Sequence, residues 1–130
     1  MTAKAHSPLQ APDPRSDGAL VTKALLRAAE RLGLANKDLA KILGLSEASV
    51  SRMSRGALSL APEQKSFELA LLFVRLYRSL DSIAGGDAQV ARVWLRAENT
   101  ALGGVPLARI ASIAGLMDTI AYLDARRAPV

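Results

Sequence analysis

The segment NKDLAKILGLSEASVSRMSR, residues 36–55, constrains the fold more than any other part of the chain. A small residue, Ala40, allows a second helix to cross close to the backbone of the first. Four residues later, Gly44 tolerates the positive φ that a sharp turn requires. The expected buried side comprises Leu39, Leu43, Leu45, Val50 and Met53. This spacing of small, turn-forming and apolar residues predicts a helix-turn-helix.

The second helix of this motif has an outward face suited to the DNA major groove. At about 100° per residue, Val50 and Met53 point inward and Arg52 points outward. An arginine can donate to guanine O6 and N7, and the methyl group of Ala48 can contact a thymine methyl. The predicted DNA contacts are Lys37, Ser46, Glu47, Ala48, Ser51, Arg52 and Arg55, with Lys37 and Ser46 assigned to phosphates.

The alternative is a pair of ordinary helices with a solvated basic face. The chain carries 17 basic and 12 acidic side chains, a net charge of +5 at pH 7. Eight basic and four acidic side chains lie in residues 15–55, whereas residues 56–130 carry eight and seven. Four of the five excess charges therefore surround the motif, which favours DNA binding.

The stretch from Leu20 to Gly56 resembles the Xre/Cro-like repressor family, chiefly over the residues LAKILGLSEASVSRMSRG. The resemblance implies a homodimer that reads a palindromic operator. Because the segment has few basic residues, a monomer is expected to bind DNA weakly, and affinity would come from pairing two or more copies.

The rest of the chain is also predicted to be helical, because no segment shows the period-2 alternation of a strand. The expected fold class is all-α, with an N-terminal helix-turn-helix bundle followed by a small helical C-terminal domain. We predict a disordered leader over residues 1–17, the DNA-binding domain over residues 18–60, a long connecting helix within residues 61–86 and the C-terminal domain over residues 87–130.

Local signals set the expected helix boundaries. The predicted N-caps are Asn36, Ser46 and Asp87. Short polar side chains of this kind accept hydrogen bonds from the first turn of a helix. Pro62 is expected in the first turn of the long helix, which is predicted over residues 63–84. Gly115 is expected to precede the last helix, which begins at Leu116.

The long helix has two apolar stripes, whereas a helix at the surface normally has one. Two stripes imply burial on more than one side. Self-contact in a homodimer is assigned to Leu69, Phe73, Leu76 and Leu80. The alternative is a central helix wrapped by the chain's own C-terminal helices.

The segment VARVWLRAENTALGGVPL, residues 90–107, predicts a helical corner pinned by Trp94. The residues that shape its turn are Asn99, Gly103, Gly104 and Pro106. They tolerate left-handed backbone, permit close approach and fit the first turn of the next helix. The alternative for Trp94 is an ordinary core residue.

This corner and the helix after it resemble the toxin-binding domain of the Xre/MbcA/ParS antitoxins. The matching residues are Ala91, Trp94, Leu95, Asn99, Leu102, Gly103, Gly104, Pro106, Leu107, Gly115, Ile120 and Leu123. The resemblance implies a bacterial antitoxin that binds a RES-domain toxin, one of a family that consumes NAD, and obstructs its active site. The helix-turn-helix would repress the shared operon.

The end of the chain departs from this family, in which a closing Tyr-Gly is common, because here Tyr122 is followed by LDARRAPV. We hypothesise that Arg126 and Arg127 project from the last helix and pair with polar or acidic groups in the toxin cleft. The alternative is that both only complement the helix dipole. The predicted toxin-binding residues are Trp94, Asn99, Leu102, Gly103, Gly104, Pro106, Tyr122, Arg126 and Arg127.

Other classes of function have little support in the sequence. The chain has no cysteine, which excludes cysteine nucleophiles, and its one histidine, His6, lies in the predicted leader, which leaves a histidine triad or metal centre almost nothing to use. Gly103 and Gly104 are not followed by the Lys-Ser/Thr of a phosphate-binding loop. We expect no enzymatic activity, metal or cofactor. The alternative function is a phage-type transcriptional repressor whose C-terminal half only oligomerises. No signal peptide or membrane span is predicted, which makes a cytoplasmic location the expectation.

Overall fold

The computed structural model describes Asp13 and residues 15–127, which form seven α-helices and one short 3-10 helix. The helices are α1 (Asp17–Arg31), α2 (Asn36–Leu43), α3 (Glu47–Ser54), α4 (Lys65–Ile83), α5 (Ala88–Arg96), α6 (Pro106–Arg109) and α7 (Ile113–Arg127), with the 3-10 helix Thr100–Leu102 between α5 and α6. The all-α prediction is confirmed, since the described residues form no β-strand. Their one β-type pairing is an isolated bridge between Asn99 and Gly104. The predicted leader lies almost entirely outside the described residues, although Asp17 begins α1.

Two of the three predicted N-caps are present. The Ser46 hydroxyl accepts from the Ser49 amide at 3.1 Å, and the Asp87 carboxylate accepts from the amides at the start of α5. The third prediction was wrong, because Asn36 is already the first residue of α2 and the N-cap is Ala35, which has no capping side chain. Asp38, in the first turn, supplies instead a negative charge that the helix dipole favours.

The long helix begins later than predicted and the last helix earlier. Pro62 lies in the turn before α4, where the Gln64 side chain accepts from the Ala61 amide at 3.1 Å. Gly115 lies inside the first turn of α7, where its amide donates to the Ser112 hydroxyl at 3.0 Å. A Cβ on Gly115 would lie 1.9 Å from the Arg109 carbonyl oxygen, so this glycine permits a close approach between α6 and α7 and does not end a helix.

Helix α4 is the central element of the molecule and packs against α1, α2, α5 and α7. Phe73, Leu76 and Leu80 are at most 1% exposed, and Leu69 is 7% exposed. The prediction that these four side chains form a dimer contact was therefore wrong, because the chain's own helices already cover them. The alternative, a central helix wrapped by the rest of the chain, describes the structure.

One continuous hydrophobic core joins the N-terminal and C-terminal helices through α4. Arginines of α5 add polar contacts to the C-terminal end of α1. Arg92 donates to the carbonyls of Arg31 and Glu30 at 2.8 and 3.1 Å, and Arg96 donates to the carbonyl of Gly33 at 2.9 Å. These bonds supply partners to the Arg31 and Gly33 carbonyls and a further partner to the Glu30 carbonyl, which already accepts from the Gly33 amide. The helix-turn-helix and the C-terminal helices are thus parts of one packed unit.

Candidate functional site

Helices α2 and α3 form the predicted helix-turn-helix. Gly44 ends α2 with a φ of 68°, the left-handed conformation that the turn requires. Ala40 is 4% exposed, and Val50 and Met53 are 0% and 1% exposed. Leu39 and Leu43 are also buried, whereas Leu45 is half-buried. The inward face of the motif therefore agrees with the spacing in the sequence.

The outward face of α3 carries exposed Ala48 and two exposed arginines. Arg52 donates to the Ser49 hydroxyl at 3.3 Å, and Arg55 donates to the Ser51 hydroxyl at 2.7 Å. These contacts hold the guanidinium groups along the helix surface. A guanidinium group loses little when it leaves a neutral hydroxyl, because its hydrogen bond to a phosphate is stronger. Both arginines can therefore exchange serine for a base or a phosphate.

Ser49 was missed by sequence reasoning, which placed only its neighbours on the outward face. It is half-buried, and its hydroxyl connects the helix cap to Arg52, because it also accepts from the Ser46 hydroxyl at 3.1 Å. The signal was available, since position N3 lies beside the N-cap at the start of every helix. Ser46 therefore uses its hydroxyl within the cap of α3, whereas Lys37 and Glu47 are exposed to solvent.

The corner after α5 is built by residues that sequence reasoning had assigned to toxin binding. The Asn99 side chain accepts from the Leu102 amide at 3.1 Å, and its backbone exchanges two 3.1 Å hydrogen bonds with Gly104. Gly103 has a φ of 75°, which favours glycine. Leu102 and Pro106 are buried, so their side chains are not on a contact surface. For these two residues the assignment to toxin contact is corrected to a structural role.

An aromatic stack beside this corner presents a cation to solvent. The rings of Trp94 and Tyr122 stack with centroids 6.3 Å apart and planes 27° from parallel. The Arg126 guanidinium carbon lies 4.4 Å from the centroid of the Tyr122 ring. Trp94 and Tyr122 are half-buried and pack against the core, while Arg126 is exposed. The stack therefore holds Arg126 in a defined position at the surface.

Arg127 faces a different environment from Arg126. It donates to the hydroxyl of Ser79 on α4 at 2.9 Å, and that hydroxyl donates to Asp124 at 2.8 Å. Asp124 also pairs with Arg75. The hydrogen bond from Ser79, followed by Arg75, lowers the pKa of the Asp124 carboxyl. Arg127 is exposed, but its hydrogen bond to this buried serine holds its guanidinium group against α4.

The C-terminal helices also expose large apolar side chains that sequence reasoning did not single out. Val90 and Val93 on α5 are 50% and 58% exposed, and Ile113 and Met117 on α7 are 60% and 44% exposed. Each pair has helical spacing and so shares one face of its helix. Exposed apolar groups of this kind are typical of protein contact surfaces.

Within Asp13 and residues 15–127, the structure contains no group of His, Asp or Glu side chains that would hold a metal ion. None of the helices described there combines the length and the apolar character needed to cross a membrane.

Comparison with protein families gives two matches. Residues 11–75, half of the chain, match the antitoxin Xre-like helix-turn-helix domain, and residues 79–128 match the antitoxin Xre/MbcA/ParS C-terminal toxin-binding domain. A search of curated proteins found no match. The boundary between the two matched regions lies inside α4, so both regions share the central helix. The chain therefore belongs to the Xre family of antitoxins, with an Xre-like helix-turn-helix domain and an Xre/MbcA/ParS toxin-binding domain.

Proposed function

We propose that this antitoxin inhibits a RES-domain toxin by occupying the toxin's active site and represses its own operon through the helix-turn-helix. The observation that carries the proposal is the combination of both antitoxin domains in one chain and one core. The RES partner is the one that the family resemblance implies. In this proposal the chain acts by occupying sites, and the NAD-consuming chemistry belongs to the toxin.

The DNA half of the proposal rests on α3. Its exposed arginines are held by neutral serine hydroxyls, so binding to DNA does not break a buried ion pair. In this proposal Arg52 reads guanine, and Lys37, at the start of α2, contacts a phosphate. We propose that two copies bind a palindromic operator, because one motif with few cations has low affinity for DNA. The self-contact of this homodimer does not involve the buried stripe of α4.

The toxin half rests on the aromatic stack and the apolar residues near it in the chain. Arg126 is held on the Tyr122 ring, so its ordering costs little when it enters a cleft. Val93 and Met117 supply exposed apolar area on the same domain. Arginine and tyrosine are among the residue types enriched in binding hot spots. Arg126, with Tyr122 beneath it, is therefore our proposed insertion into the toxin active site.

The test is a competition assay with a RES-domain toxin, which is to be sought in the reading frame next to this gene. Purified complex is titrated with NAD, and NAD consumption is measured. We expect the apparent inhibition constant to rise with NAD concentration, and Arg126→Ala to weaken inhibition about tenfold or more. Lys65→Ala, which removes an exposed charge on α4, is the matched control and should leave inhibition unchanged.

The outcomes separate the parts of the proposal. Tight toxin capture without inhibition would reject active-site occupancy but retain the antitoxin role. Absence of capture, together with intact operator binding, would favour the phage-type repressor whose C-terminal half only oligomerises. Light scattering on the purified chain and on the complex measures the copy number in each case.

A further inference from the structure

A groove between α1 and α4 is used neither by the DNA-facing surface nor by the aromatic stack. The two helices run side by side in the same direction, since Gly18 lies against the carbonyl of Leu60 before α4, while Arg31 bonds to Tyr77 near the end of α4 at 3.1 Å. The groove has a volume of about 490 Å³. Its apolar floor comprises Leu20, Val21, Ala24, Leu71 and Val74.

The floor exposes more apolar surface than the fold requires. Leu20 is 54% exposed and Leu71 is 47% exposed. Leu20 lies on α1 and Leu71 lies on α4, so the two helices contribute to the floor from opposite sides. Both belong to helices anchored in the core, so the groove is already formed. A preformed apolar groove between two helices is the shape that receives the apolar face of a third helix.

The rim of the groove is cationic. It is lined by Arg75, Arg78 and Arg127, and no acidic side chain lines it. Asp124 pairs with Arg75, and Ser79 accepts from Arg127, so both guanidinium groups are fixed at the rim. Arg78 is exposed and has no ion pair among the residues that the structure describes. Asp124 compensates the charge of Arg75, so Arg78 and Arg127 carry the remaining positive charge of the rim. An occupant that combines an apolar stripe with negative charge fits this groove.

We propose that this groove docks an acidic amphipathic helix of a partner protein. A second copy of this chain fits less well, because a two-fold contact presents the same patch to itself and would bring the three arginines together. Nucleic acid would use the arginines but would leave the leucines without a partner. Only an acidic amphipathic helix would both cover the apolar floor and pair with the arginines of the rim.

The position of the groove adds a consequence. Its floor lies in the region matched to the helix-turn-helix domain, whereas Arg127 lies in the region matched to the toxin-binding domain. A helix bound there would contact both matched regions at once. This contact goes beyond the proposed function, since neither operator binding by α3 nor insertion of Arg126 requires it.

The test uses the full chain and a dye-labelled helical peptide of about four turns, with leucines at positions i, i+4 and i+7 and glutamates on both flanks. The control peptide replaces the glutamates with lysines. Fluorescence anisotropy should show binding of the glutamate peptide that is at least about tenfold tighter than binding of the lysine peptide. This preference should weaken as the salt concentration rises.

Variants connect the binding to the groove. Leu71→Lys should abolish binding, and Arg78→Glu should weaken it about tenfold. Lys65→Glu makes the same charge reversal on α4 outside the groove and should have no effect. Both groove residues are exposed, and circular dichroism spectra confirm that each variant is folded.

Three results would overturn the proposal. The first is equal binding of the two peptides, or binding that both groove variants leave unchanged. The second is a dimer that Leu71→Lys converts to a monomer, which would assign the groove to a second copy. The third is loss of duplex DNA binding in Arg78→Glu with peptide binding retained, which would assign the rim to phosphates.

Discussion

The DNA-facing motif and the toxin-binding domain differ in how their surfaces are assembled. The outward face of α3 comes from one short segment, so each side chain is placed by its own helix and by neighbours within four residues. The surface of the toxin-binding domain combines α5, α7 and α4, and its key contacts join residues such as Ser79 and Arg127 that are 48 positions apart. A surface built within one segment can be read from spacing alone, whereas a surface built from several segments depends on how they pack.

The largest expected effect tests whether the two regions are one unit. Phe73→Ala, at the centre of the core, should lower the free energy of unfolding by about 3–5 kcal/mol because it opens a cavity beneath both regions. Leu71→Ala, at a residue that is 47% exposed, should cost less than about 1 kcal/mol. Urea unfolding is followed by Trp94 fluorescence, which reports on the C-terminal region, and by far-ultraviolet circular dichroism. Separate transitions in the two signals would contradict a single core.

A matched pair of glycines sharpens the comparison. Gly115→Ala should cost roughly 2–3 kcal/mol, because its Cβ would collide with the Arg109 carbonyl oxygen and the α6–α7 packing must shift. Gly44→Ala should cost only about 1 kcal/mol, since a Cβ there meets nothing within 4 Å and only the positive φ is strained. Thermal unfolding of both variants provides the measurement. The reverse order would show that the turn of the DNA-binding motif is the more constrained site.

Operator binding tests whether α3 reads bases. Arg52→Ala should cost about 1–3 kcal/mol of binding free energy on the operator and much less on a scrambled duplex. Lys37→Ala should weaken binding to both duplexes equally. It should also lower the slope of log affinity against log salt concentration by the amount expected for about one phosphate contact. Anisotropy titrations at several salt concentrations measure both quantities, with Lys65→Ala as the control for charge alone. Equal losses on the two duplexes for Arg52→Ala would reject direct base reading.

The smallest expected effect concerns the contacts of Asp124. Its folded pKa lies below the usual value, chiefly because Ser79 donates to it, so its contribution to stability is complete above its unfolded pKa of about 3.9 and is lost as the pH falls through the folded pKa. Asp124→Asn should cost less than about 1 kcal/mol at neutral pH, because the carboxylate is partly exposed and partly screened.

The pH dependence checks this assignment. The stability difference between the wild-type chain and Asp124→Asn should shrink as the pH is lowered from 6 to below the folded pKa. Ser79→Ala should reduce the same pH dependence, since it removes the main cause of the lowered pKa. A difference that is constant across this pH range would show that the carboxylate charge does not stabilise the end of α7.

The helix-turn-helix was predictable from the sequence because its requirements are local. A small residue, a turn glycine and a β-branched core residue at fixed spacing leave few other conformations for residues 36–55. The caps at Ser46 and Asp87 were also predictable, because each acts within its own first turn. Asn36 shows the limit of this reasoning, since its side chain is suited to capping but the residue lies one position inside α2, after the N-cap Ala35.

The C-terminal domain was predictable as a family resemblance but not as a surface. Leu102 and Pro106 belong to the matching pattern, yet both are buried, and Asn99 closes the corner by hydrogen bonding to backbone. The residues of this pattern preserve the shape of the turn, whereas exposed residues such as Val93 and Met117 remained unnoticed. A sequence pattern does not distinguish a side chain that builds a surface from one that lies on it.

The sequence by itself determined that the chain is helical, where its helix-turn-helix lies and which two antitoxin domains it contains. These properties follow from spacing, turn residues and caps, all of which act over a few residues. Only the tertiary structure decided that the apolar stripe of α4 lies in the chain's own core, and that Arg127 is held against α4 while Arg126 rests on Tyr122. The physical reason is that burial and hydrogen bonding of these side chains depend on helices far apart in sequence, whose packing is a property of the whole core.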